Sequence, residues 1–156
     1  MERLNYRWQF IDWLSLKATN LSDRLLKDRP WEYTLEDCSK MDQNSLGHSL
    51  YNYFSENNLI FKPKLIRHNM KHILLGYDMK IEDELRLHAF LIGNKSYNLL
   101  GIVYLITCTL FVPEIIFKLS LEFKKGKTVT ILKHVKLQNY ATHDLTVLRR
   151  KFKIKN

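Results

Sequence analysis

The chain is predicted to fold as an all-α, single-domain bundle of about six to eight helices spanning residues 1–156, and three observations predict it. Five glycines and three prolines are few for 156 residues, which favours long helices over many short strands. Apolar residues recur at spacings of three and four along most of the chain, the rhythm of an amphipathic helix. Between these stretches stand residues that start or stop helices. At this length a single core buries roughly two-thirds of the unfolded surface, so neither disulfides nor a structural metal is needed to hold it.

The first stretch, Leu4 to Leu26, places Leu4, Trp8, Ile11, Leu14, Leu21, Leu25 and Leu26 in helical rhythm, with Asn20 and Ser22 as internal cap candidates, so it reads as one or two helices. Asp28-Arg-Pro30 breaks it. Thr34 to Asp37 has the layout of a capping box and opens a short helix. After a turn around Asp42–Asn44, a helix is expected from about Ser45 to Asn57. Pro63 opens the next, because proline is tolerated in a first turn whose N–H has no partner to find, and Gly76 is placed to end it. A short loop through Asp78 and Lys80 leads to a helix from Ile81 to Ile92, closed by Gly93-Asn94. With so short a connection these two helices form a hairpin at the centre of the bundle. Leu99 to Val112 carries no charge, within an uncharged window from Ser96 to Pro113. Gly101, Pro113, Glu114 and the polar Thr107-Cys-Thr109 favour a buried core helix over a membrane-inserted one. Pro113 starts a helix from Ile115 to about Phe123, and Lys124-Lys-Gly-Lys127 is expected to break it. Thr128–Leu132 reads as strand-like or undecided. A last helix runs from about Asp144 to Ile154, with Leu145, Leu148 and Phe152 on one side.

Cys38 and Cys108 stand far apart with no C-x-x-C spacing, which predicts a reducing compartment and no disulfide. Charges and tryptophans near the N-terminus do not fit a secretory signal, so an intracellular, cytoplasmic location is expected. The net charge of +9 is unevenly placed: residues 1–117 hold 14 Lys/Arg and 14 Asp/Glu, residues 118–156 hold 11 and 2. That basic quarter reads either as a footprint for an anionic membrane surface or as a solvated basic face with no specific partner. Nucleic acid is the other polyanion it could meet, but no nucleic-acid motif accompanies it, so no nucleic-acid partner is expected.

On the helix Pro63–Gly76, Ile66, Met70, Ile73, Leu74 and Tyr77 form an apolar stripe, and Lys64, Arg67 and Lys71 form a wet one. His68 and His72 lie on neither. Bordered by Leu65 and Leu75, they are expected to point inward. Histidines at i and i+4 put two imidazoles on one side of a helix, one turn apart, as a single metal ion requires. A carboxylate should join them, and Glu84, twelve residues after His72, stands about one turn into the next helix. Spacing alone leaves open that the histidines pair by chance and that Glu82-Asp-Glu84 only complements the helix dipole. Glu84 shares a narrow polar strip with His88, a candidate further ligand, while Arg86 points the opposite way. His48, His134 and His143 have no partner spacing.

Arg67-His68-Asn-Met-Lys-His72, followed by eleven residues and Glu84, resembles the H-D-x-x-H-x11-E zinc motif of the coenzyme Q (ubiquinone) biosynthesis family of the Coq-four type. Ser45-Leu-Gly-His-Ser-Leu50 is similar to that family's S/T-L-G-x-x-L/Y segment, and Asp144-Leu-Thr-Val-Leu-Arg-Arg150 to its L-x-x-L-R-R helix, so the likeness runs from about residue 35 to 154. It implies an all-α protein held peripherally at the inner face of a membrane, with zinc, or another divalent metal, on His68, Asn69, His72 and Glu84. The implied activity is metal-dependent removal of the C1 carboxylate, with hydroxylation, from a polyprenyl-hydroxybenzoate. The alternative is a non-catalytic isoprenoid-lipid-binding or scaffold protein. Implied partners are a prenylated aromatic or isoprenoid lipid, other quinone-biosynthesis proteins and a second copy of the chain as homodimer. The chain departs from the motif at Asn69, where the family has Asp. A neutral amide leaves one positive charge of a divalent ion uncompensated.

Overall fold

In the computed structural model, which describes residues 2–25, 31–78 and 80–154, the apolar rhythm becomes eight α-helices. They are α1 (Glu2–Leu25), α2 (Leu35–Ser39), α3 (Leu46–Glu56), α4 (Ile66–Leu75), α5 (Ile81–Gly93), α6 (Leu99–Phe111), α7 (Ile116–Thr128) and α8 (Leu145–Lys151). Single 3-10 turns stand at Pro63–Leu65, Pro113–Ile115 and Leu137–Tyr140. Among the described residues there is no strand, only an isolated antiparallel bridge between Ser45 and Asp144, so the all-α class is as expected. The break expected at Asp28-Arg-Pro30 lies outside the described residues, as do Leu26 and the side chains of Leu4, Ser22 and Leu25. The chain gathers into two compact units, one built from α1 and residues 80–133, the other from residues 31–78 and 134–154.

In the first unit α1 is one continuous helix. Its Ile11 is fully buried among Leu85 and Ala89 of α5, Tyr104 and Cys108 of α6, and Ile115 and Leu119 beyond, with Trp8, Leu14 and Ala18 packed alongside. The closest approach is between α5 and α7, and two glycines make it possible. A Cβ on Gly93 would lie 2.0 Å from the Phe123 carbonyl oxygen, and one on Gly126 would lie 2.1 Å from that of Phe90. The break expected at Lys124-Lys-Gly-Lys127 is therefore absent. Gly126 is buried in the crossing, and α7 runs through it to Thr128. Nor is Thr128–Leu132 a strand, because a side chain supplies the backbone partners that a strand would seek. Buried Asn94 donates through Nδ2 to the carbonyls of Gly126 and Val129 at 3.0 Å and of Thr130 at 3.2 Å, and its Oδ1 accepts from Leu132 N at 2.9 Å. Arg86 points away from Glu84, as expected, and donates to the buried Glu122 of α7 at 2.7 Å.

Helix α6 corrects the expectation of a buried core helix. Gly101, Tyr104 and Cys108 face inward, but Leu99 is 76% exposed, Val103 53%, Ile106 58% and Leu110 78%. Thr107 and Thr109 bond back to the carbonyls of Val103 and Leu105, which lets hydroxyls sit in an apolar helix without seeking water. Among the described residues no single helix is long and apolar enough to cross a membrane. Leu99–Phe111 and Pro113–Thr128 together have the composition, bent by 111° at their junction.

In the second unit, Thr34 and Asp37 form the expected capping box of α2, and Ser45 caps α3 through the His48 N–H. Helix α3 buries Leu46, Leu50 and Phe54. Two segments singled out in the sequence meet here. Leu46 N donates to His143 O at 2.9 Å, Gly47 N to Ala141 O at 2.7 Å, and Leu145 N to Asn44 O at 2.8 Å. Asp144 caps α8, and the Thr146 hydroxyl, with the N–H groups of Val147 and Thr146, holds its carboxyl below the usual carboxylate range. Pro63 opens the 3-10 turn that leads into α4, and Gly76 ends α4 as read, with φ +76°, a conformation open to glycine without strain. Arg149 of α8 donates to the carbonyls of Leu74 and Ile73 at 3.0 Å each, so a cation satisfies the carboxyl end of α4.

Candidate metal centre

The apolar stripe of α4 is buried as predicted, with Ile66, Met70 and Leu74 at 0% exposure. The supposed wet stripe is not wet. Lys64, Arg67 and Lys71 are all half-buried, because the chain around the Leu137–Tyr140 turn returns over α4. Arg67 reaches the Val135 carbonyl at 3.4 Å. Burial, with help from the Arg67 charge, pulls the Lys71 ammonium down to about 8.

Between these faces the structure brings His68 and His72 together. His72 is 2% exposed, His68 is half-buried, and their Nε2 atoms stand 3.0 Å apart. The rings meet edge to face at 4.7 Å between centroids, and Tyr53 of α3 lies 6.1 Å from the His72 ring. Two imidazole nitrogens at that distance share one proton, one donating and the other accepting. Two neutral imidazole nitrogens this close are donors of the kind that would hold a divalent metal ion, which would supply Lewis-acid chemistry there. Asn69, next to His68, is half-buried on the same helix.

Glu84 stands on α5, in the first unit, in the acidic first turn with Glu82 and Asp83. Its Oε1 is 3.0 Å from His88 Nε2, one turn on, with both side chains mostly covered at 22% and 17% exposure. His88, considered as a ligand, is thus held by the carboxylate on its own helix. What the sequence did not reveal is the surroundings of His88. Its ring lies 5.3 Å from that of Tyr104, and a Cβ on Gly101 would come within 2.6 Å of its Nδ1. A glycine in an otherwise bulky apolar helix was the signal that something packs there. Burial pushes the Tyr104 hydroxyl far up and the Cys108 thiol to about 11, so both stay neutral, and the hydroxyl pairs with Ser15. Cys38 and Cys108 are both free thiols, and both are buried. His48 meets the Ser39 carbonyl at 3.2 Å, and His134 and His143 are exposed.

No family model matches the chain, and no curated protein matches it in sequence. Among solved structures it is similar to a crystal structure of a candidate ubiquinone biosynthesis protein from Nostoc punctiforme, with 15% identity and a TM-score of 0.63. The match covers 96% of this chain and 82% of that one. At this identity the likeness is one of fold: the all-α chain read from the sequence has the fold of that protein.

Proposed function

We propose that the protein holds one divalent metal ion, zinc first among the choices, on the His68–His72 pair and the Glu84 carboxylate that completes the sequence motif. With it the protein would act on a polyprenyl-hydroxybenzoate, removing the C1 carboxylate in ubiquinone or a related prenylquinone pathway. The observation that carries the reading is the His68–His72 pair, two Nε2 atoms at 3.0 Å on a covered face of α4. The ubiquinone description of the Nostoc protein that shares the fold supports the pathway.

A divalent ion bound there supplies Lewis-acid polarisation of the substrate carboxylate. Two neutral imidazoles and one carboxylate leave such a site with a single positive charge, and Asn69 adds none to offset it. An anionic benzoate fits that charge. Decarboxylation breaks the C1–carboxylate bond, releases CO2 and leaves the electron pair on the ring. Placing hydroxyl at C1 further requires dioxygen and a two-electron donor, one oxygen atom going to the ring and the other leaving as water, because zinc has no redox chemistry of its own.

The test begins with metal analysis of the purified full chain. About one zinc per chain is expected, lost in His72→Ala, and metal-free wild type after gentle purification sinks the site. Loss of carboxylate from a short-chain prenyl-hydroxybenzoate, followed in air by mass spectrometry, tests the reaction. Full activity in Glu84→Ala would remove the metal from it.

The exposed face of α6 favours a second reading, a non-catalytic isoprenoid-lipid carrier or scaffold working at a membrane. Leu99, Val103, Ile106 and Leu110 form one apolar stripe on α6, and α7 exposes Ile116, Phe117 and Leu121 together with Lys118, Lys124, Lys125 and Lys127. Such a surface suits an anionic bilayer, each lysine contributing about 1 kcal/mol near it. The wild type should sediment with vesicles of about 30% anionic lipid, and Val103→Glu with Leu110→Glu should release it. Wild type that stays in the supernatant excludes the surface as a membrane anchor.

A further inference from the structure

We infer that His88 is the residue that positions Glu84 for metal binding, and that Gly101 is required because it leaves room for the His88 ring. The inference rests on the metal site proposed above and adds residues outside the motif. Every contact it uses lies within the first unit.

Glu84 and His88 are one turn apart on α5, and His88 Nε2 is 3.0 Å from Glu84 Oε1. A carboxylate at the end of a flexible side chain binds an ion well only if its plane is fixed, and ligating carboxylates are commonly held by a hydrogen bond from an outer residue. His88 has the donor for that, and α6 immobilises it. The Tyr104 ring stands 5.3 Å away at 60°. One turn earlier on the same helix, Gly101 presents bare backbone: a Cβ there would fall 2.6 Å from His88 Nδ1 and 2.8 Å from Cε1. Gly101 is itself fixed, its N–H donating to Asn98 Oδ1 at 2.6 Å at the start of α6. Tyr104 is anchored by the Ser15 hydroxyl of α1. Thus α1 and α6 hold the imidazole, and the imidazole holds the carboxylate.

The experiment measures Co2+ affinity of the full chain by competition with a chromogenic chelator, together with the visible d–d spectrum of the complex. His88→Ala should weaken Co2+ ten- to a hundredfold. His88→Gln, whose amide N–H can still reach Glu84, should recover most of that loss and keep the wild-type spectrum. Unfolding midpoints of the metal-free His88→Ala and His88→Gln proteins should agree, which separates positioning from stability. Gly101→Ala should weaken Co2+ in the same direction, and in the His88→Ala background it should cost nothing further, since the ring it displaces is gone.

Unaltered Co2+ affinity in His88→Ala, beside loss of binding in Glu84→Ala, overturns the inference and leaves the metal site standing. If His88→Gln is as damaged as His88→Ala and its spectrum changes, His88 is itself a ligand and the positioning role is wrong. Wild type that binds no Co2+ overturns the metal reading and this inference together.

Discussion

Gly93→Ala is expected to destabilise the protein by about 3 kcal/mol or more, lowering its thermal midpoint by roughly 6–12 °C. The new methyl would start 2.0 Å from the Phe123 carbonyl oxygen and 2.8 Å from its carbon. Both atoms belong to the backbone of α7, so no side-chain rotation relieves the clash. Van der Waals contact needs about 3.4 Å or more, so α5 and α7 would have to part by over an ångström. Parting them loosens Phe90, Leu91 and Leu119, all buried in the same unit. Alanine's better helix propensity offsets only about 1 kcal/mol of this. Gly126→Ala should behave alike, its Cβ falling 2.1 Å from Phe90 O. Gly47→Ala is the informative control. Its nearest obstacle, at 2.2 Å, is the Met41 sulfur, the end of a flexible side chain, although Ala141 O also stands at 3.0 Å. Met41 can move, so the loss should be clearly smaller. Urea unfolding of the three variants checks the order, and a Gly93→Ala protein as stable as wild type would show that the two helices are not in close contact.

What the sequence revealed and what it hid divide along a physical line. Features set within one turn of helix were legible: the Thr34–Asp37 capping box, Ser45 and Asp144 as caps, Pro63 at the turn into α4 and Gly76 at its end, and the burial of Ile66, Met70 and Leu74. The His68–His72 pair was legible for the same reason, because i and i+4 neighbours are fixed by helix geometry alone. Features set by a distant segment were not. Gly126 reads locally as a helix breaker and becomes a packing position only because α5 lies against it. Thr128–Leu132 has the composition of a strand, yet its carbonyls and N–H groups go to Asn94, more than thirty positions earlier. Lys64, Arg67 and Lys71 read as a solvated stripe until the chain around Leu137–Tyr140 covers it. The outer face of α6 is the opposite case. An apolar stretch without charge reads as buried all round, and no periodicity separates its inner Tyr104 and Cys108 from its outer Ile106 and Leu110.

Asn69→Asp is expected to tighten divalent-metal binding by about ten- to a hundredfold, or roughly 1.4–2.8 kcal/mol. At the proposed site two imidazoles and the Glu84 carboxylate leave a divalent ion with one uncompensated positive charge. A second carboxylate neutralises it. The bare Coulomb gain, about 4 kcal/mol at 4 Å in an effective dielectric of 20, exceeds the expected effect because the half-buried Asp must shed water. The same substitution should weaken binding of a hydroxybenzoate to the metal-loaded protein, since a neutral site no longer attracts a carboxylate. These opposed effects test the electrostatic argument more sharply than either alone. A variant that tightens both metal and benzoate would show that Asn69 limits the site by geometry rather than by charge. A variant that changes neither would place residue 69 outside the metal's reach, leaving His68, His72 and Glu84 as the whole of the protein's contribution.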